Sequence, residues 1–80
     1  MVRYIDNGGA TKAVAITPDD DTDIEVTRGL YVGGAGDLVI MLADDDEPVT
    51  FTGVAAGVLY PVRVKRVMEA STASDLVAVY

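Results

Sequence analysis

The sequence predicts an all-β protein, a small sandwich or barrel of six to seven short antiparallel strands. Three observations carry that prediction. Short runs rich in β-branched residues recur at roughly ten-residue spacing with turn signals between them. No segment holds a helical period long enough to compete. At the centre, two apolar β-type runs, Leu30-Tyr31-Val32 and Leu38-Val39-Ile40-Met41-Leu42, flank Gly33-Gly34-Ala35-Gly36, a linker whose side chains can do no chemistry. That block is built for packing and pairing.

The elements follow in order. Residues 1–12 are mixed, with Asn7-Gly8-Gly9 as a turn signal, and read as an extended N-terminal arm to a single domain spanning 1–80. Ala13-Val14-Ala15-Ile16 is a short strand stopped by Pro18. An acidic loop, Asp19-Asp20-Asp21-Thr22-Asp23, comes next, and Glu25-Val26-Thr27 begins a strand that continues to Val32. The Gly/Ala linker is expected to form a hairpin turn needing positive φ angles, which glycine supplies. Leu38 to Leu42 is apolar throughout, the mark of a strand covered on both faces. After the charged turn Asp44-Asp45-Asp46-Glu47 and Pro48, Val49 and Phe51 point inward while Thr50 and Thr52 point outward.

Val58 to Met68 is the longest β-like run. Val58, Tyr60, Val62 and Val64 share one face; Leu59, Pro61, Arg63 and Lys65 share the other. Because Arg66 is polar and Val67 apolar, the alternation changes phase, which predicts a bulge or strand end near Lys65-Arg66. Pro61 cannot donate to a ladder, so the strand is an edge or bends there. Met68 to Ser74 is a small-residue connection with room for one helical turn, and Leu76 to Tyr80 is a last strand, apolar on both faces.

Composition narrows the function. The chain has 80 residues, half of them hydrophobic, with only four tyrosines and one phenylalanine among the aromatics. A chain of this size buries only about 60% of its unfolded surface. Surplus Val, Ala, Leu and Ile are therefore expected to face another subunit, the alternative being scattered surface Val and Ala. There is no Cys and no His, which removes disulfides, Ser-His-Asp and Cys-His catalysis and most zinc and copper sites. Stability is then expected from oligomerisation. Thirteen acidic against six basic residues, a net charge of -7, argue against nucleic acid or an anionic membrane as the main ligand. No apolar run approaches the ~20 residues of a membrane span. The start, Met1-Val2-Arg3-Tyr4, shows no signal-peptide core and no myristoylation glycine, so synthesis in the cytoplasm is expected.

Candidate sites are few. Asp19, Asp21 and Asp23 have the one-three-five spacing of a calcium loop, but Ile24 stands where an EF-hand needs Gly and Leu30 where it needs the bidentate Glu. They are weak metal candidates, aided only if Asp44 to Glu47 came near, and the competing reading is a solvated turn whose carboxylates bond local amides. Gly33-Gly34-Ala35-Gly36 fails as a phosphate loop: Val39 occupies the third-glycine position of a dinucleotide fingerprint, and strand rather than helix follows. Arg63, Lys65 and Arg66, three of the six basic residues, form either a docking patch for acidic protein surface or an ordinary solvated strand face. Ser71 and Ser74 have no activating partner nearby, and acid pairs such as Asp44 and Glu47 sit in a hydrophilic turn, a poor setting for glycoside chemistry. No cofactor and no catalytic residue is expected.

The stretch Thr27-Arg28-Gly29-Leu30-Tyr31-Val32-Gly33-Gly34-Ala35-Gly36-Asp37 is similar to a small virion-protein family. So are Val49-Thr50-Phe51-Thr52-Gly53-Val54, Pro61-Val62-Arg63-Val64-Lys65-Arg66-Val67 and the ending Ala73-Ser74-Asp75-Leu76-Val77-Ala78-Val79-Tyr80. The likeness, from about Ile16 to Tyr80, resembles the head-spike base protein of gene transfer agents and related tailed bacteriophages. Members often have a Gly-containing turn where this chain has Asp44-Asp45-Asp46-Glu47-Pro48. The resemblance implies a small β-rich protein on the outside of a capsid, at vertices, holding a fibre, with no catalytic site.

Together these readings give a non-enzymatic virion protein on the capsid exterior, made in the bacterial host cytoplasm. Its expected partners are copies of itself, the major capsid protein and a spike fibre protein. Tyr60, Val62, Val64, Leu76, Val77, Val79 and Tyr80 are expected in core or interface, and Arg63, Lys65 and Arg66 in polar docking. A decoration protein bracing capsomer junctions is the variant within this class; a calcium- or carbohydrate-binding module is the alternative outside it.

Overall fold

A computed structural model describes residues 9–80. The turn signal at Asn7-Gly8 and most of the expected arm lie outside these residues. Seven strands form: β1 (Ala13–Ala15), β2 (Gly29–Gly34), β3 (Gly36–Leu42), β4 (Val49–Val54), β5 (Val58–Tyr60), β6 (Val64–Val67) and β7 (Ser74–Val79). All pairings are antiparallel. They build a four-stranded sheet in the order β1-β7-β2-β5 and a three-stranded sheet in the order β4-β3-β6. No helix forms among the described residues, and the Met68–Ser74 connection holds turns instead.

The hydrophobic effect holds the two sheets together. Leu30 and Val32 of β2 and Leu76 of β7 meet Leu38 and Ile40 of β3, Val54 of β4 and Val64 and Val67 of β6 in one buried cluster. Ile16, Leu42, Tyr60 and Val62 pack against its margin. The alternation of β2 is legible here: Leu30 and Val32 are fully buried while Tyr31 between them is exposed.

Three expectations are corrected by this topology. The Gly/Ala linker is not a hairpin, because β2 and β3 do not pair. Gly34 pairs with Ser74 in one sheet and Gly36 with Val54 in the other, so the chain changes sheet at Ala35. The glycines are needed for close approach to β7 and to the residues just before it. A Cβ on Gly33 would lie 2.6 Å from the Asp75 Cβ, and one on Gly36 2.6 Å from the Ala73 nitrogen. Glu25 to Thr27 does not begin β2; that stretch runs beside β6. The Val58–Met68 run is two strands in different sheets, broken at Pro61–Arg63. β5 is an edge and the chain bends at Pro61, both of which the missing proline N–H favours.

The phase change at Lys65 is a real bulge. Leu42 pairs with Val64 and Met41 with Arg66, so one extra residue, Lys65, is inserted in β6. The insertion puts both Val64 and Val67 on the core side, where they are 0% and 2% exposed.

Candidate functional site

The described residues enclose no pocket; the edges and outer faces of the two sheets are the surfaces they present. One edge is sealed by the chain itself. The segment from Asp19 to Thr27 lies along the outer side of β6: Thr27 N–H donates to Val64 O, Ile24 N–H to Lys65 O and Asp19 N–H to Val67 O. Thr27 fastens it. Its hydroxyl donates to Val62 O and accepts from Val64 N–H, each at 2.9 Å, and the residue is fully buried. No pattern argument finds Thr27, because a single buried Thr leaves no periodic signal.

The acidic loop belongs to this seal. Asp19 Oδ1 accepts from Asp21 N–H at 2.9 Å, and Asp20 Oδ1 accepts from Glu69 N–H at 2.8 Å. Asp23 Oδ1 accepts from Arg66 Nε at 2.7 Å, and Arg66 also donates to Asp20 O. The Asp19 carboxylate thus has a local amide partner, as in a hydrogen-bonded turn, while Asp23 is held from across the chain by Arg66. Among the described residues no three acidic side chains gather where a metal ion could be held.

The basic cluster divides in two. Arg66 is turned onto the acidic loop of its own chain. Arg63 is exposed and Lys65, the bulge residue, is half-buried. The apolar candidates divide as well. Val64 and Leu76 are core, at 0% and 3% exposure, and can touch no partner; Tyr60 and Val62 pack on the core margin. Val77 and Val79 are half-buried on the outer face of the four-stranded sheet. Tyr80 is half-buried, its hydroxyl donating to Glu25 O at 3.0 Å and its ring 5.1 Å from Lys12 Nζ. Burial, then the nearby Glu25 carboxylate, pushes the Tyr80 phenol up from its ordinary value.

That outer face is strongly apolar. Register places Ala15, Val77, Tyr31 and Leu59 in one row across four strands, with Ala13, Val79 and Gly29 in another. Tyr31 stands between Gly29 and Gly33 on its strand, so no side chain of β2 flanks its ring, and it and Leu59 are 39% and 55% exposed. The outer face of the other sheet is more polar, with Asp37, Thr50, Thr52 and Arg66 around Val39 and Met41. The sandwich is two-faced, one outer face largely apolar with Asp75 at its margin and the other more polar.

No helix of the described residues is long and apolar enough to cross a membrane. No protein-family model and no curated protein matches the chain. A solved structure does: the chain is similar to one in the "capsid of native GTA particle computed with C5 symmetry". The two are 36% identical over 90% of this chain and 84% of that one, with a TM-score of 0.79. Sequence and fold agree over nearly the whole length, and the chain belongs to the family of capsid-related structural proteins of gene transfer agents and phages.

Proposed function

We propose that the protein is a non-enzymatic structural component of a phage-like virion, mounted on the outside of the capsid as a homo-oligomer that forms the base of a head spike. The observation that carries this reading is the 36% identity to a chain of the gene-transfer-agent capsid. The two-faced sandwich supplies a mechanism. Tyr31, Leu59, Val77 and Val79 bury against a neighbouring subunit, the major capsid protein or a second copy. Exposed Arg63, with Lys65 beside it, docks on acidic surface and fixes orientation, while a fibre protein binds the oligomer.

Imaging of particles made with and without this gene product tests the reading. Loss of density and of spikes at the vertices is expected. Loss of density at capsomer junctions with spikes retained would instead identify a decoration protein. Charge reversal at Arg63 and Lys65 should lower occupancy on particles without unfolding the isolated protein; unchanged occupancy would remove both residues from the interface.

A further inference from the structure

The two long sides of the sandwich are built differently. On one, the 19–27 segment covers the β6 edge with backbone hydrogen bonds. The other is open. The link Ala55–Gly57 joins β4 to β5, so the outer edges of both sheets lie together there. Register puts Val49 and Phe51 opposite the core residues Ile40 and Leu38, and Val58 opposite Val32, so all three face inward. They are nevertheless 48%, 37% and 36% exposed, because nothing covers them. The inward direction read from the alternation of Val49 and Phe51 is borne out, but coverage does not follow from it. Val49 to Thr52 form no backbone bond to any described residue beyond their β3 partner. The edge carries no charged residue of its own, unlike edges that discourage pairing.

We infer that this open seam is a strand-accepting site, and that its occupant is an extended segment of a partner protein with alternating apolar side chains and a basic end. Antiparallel addition to β4 supplies the backbone bonds, and apolar side chains at alternate positions close over Val49, Phe51 and Val58. Charge selects the occupant. Asp44, Asp45, Asp46 and Glu47 stand at the start of β4, and Arg63, whose carbonyl accepts from Ala43 N–H, is the base tied to that end. The end remains net negative, which favours lysine or arginine at the C-terminal end of the added strand; β4 of a second copy would end in Gly53-Val54, followed by Ala55, and offers no base there. The inference concerns the isolated protein and stands apart from any position on a particle.

The test uses the full chain, isotope-labelled, and two synthetic peptides, acetyl-TVTVTKK-amide and acetyl-TVTVTEE-amide. The lysine peptide should protect alternate amides of β4 from exchange and bind about tenfold tighter than the glutamate peptide, from summed exposed pairs. In the D46K/E47K variant, whose changes lie in an exposed turn, the preference should reverse. Absence of β4 protection at millimolar peptide, or equal binding of both peptides, would overturn the inference. Protection of β4 that depends on protein concentration alone would make the occupant a second copy, and would overturn it too.

Discussion

Thr27→Val tests how the sealed side is held. The substitution keeps the shape of the side chain and removes the hydroxyl that bridges Val62 O and Val64 N–H at 2.9 Å each. Val64 is fully buried, so its N–H is left without a partner at about 2 kcal/mol. Half-buried Val62 can turn its carbonyl to water at a smaller cost, and the added methyl returns up to about 1 kcal/mol. The net expectation is about 2 kcal/mol, or a melting temperature lower by about 8–16 °C for a domain of this size. Thr27→Ser keeps the bridge and loses one methyl, about 1 kcal/mol and half that shift. Calorimetric melting of both variants at one protomer concentration measures the pair, and hydrogen exchange at Val64 and Ile24 locates the effect. A valine variant as stable as the parent, or less destabilised than the serine variant, would show that methyl packing rather than hydroxyl bridging closes the β6 edge.

The remaining predictions concern the sheet corner, the loop and the C-terminus. Gly33→Ala forces a Cβ to within 2.6 Å of the Asp75 Cβ and 2.9 Å of its carbonyl oxygen, neither the end of a flexible chain; β2 and β7 must part, at about 1–3 kcal/mol in urea unfolding. Arg66→Ala frees the Asp23 carboxylate and the Asp20 carbonyl, and the pair is exposed enough that the loss stays under about 1 kcal/mol. Amide exchange in 19–23 should quicken while the core stays protected; unchanged exchange would show that the loop is held by its own turns. At Tyr80 the folded-state value lies above the unfolded one, so the folded protein holds the proton longer. Its contribution is complete below about pH 10 and is lost as pH rises through the folded value. The melting temperature of the parent should therefore fall more steeply above about pH 10 than that of Tyr80→Phe, and parallel curves would contradict this.

The sequence makes local facts legible and leaves non-local ones dark. Leu38–Leu42 reads as strand because its β-branched residues and flanking glycines decide against the helix that so short an apolar run also allows. The Lys65 bulge is visible because side chains alternate with period two, so a phase slip must be absorbed by an extra residue. Period two tells which face a residue takes, but not which sheet its strand joins. Val58–Tyr60 and Val64–Val67 therefore look like one run, although the chain leaves one sheet at Pro61 and enters the other at Val64. Val49 and Phe51 show the same limit: their parity is correct, yet coverage depends on the opposing sheet, which stops short of them. The linker glycines are conspicuous in sequence, but their reason is the approach of Asp75 and Ala73, some forty residues away in the chain.

Among the described residues, 11 hydrophobic side chains form the buried core, and others as large as Tyr31, Phe51 and Leu59 are exposed. Val14 and Val26 apart, this exposed surplus is not scattered. Part of it lies in cross-strand rows on one outer face, and part in the seam between β4 and β5. These places suit different contacts. A flat face offers area and tolerates rotation, because apolar burial has no direction. An edge offers little area but strict geometry, because ladder hydrogen bonds fix register and polarity. An assembly that fixes both contact area and angle needs both, and this fold offers a flat apolar face and the β4 edge.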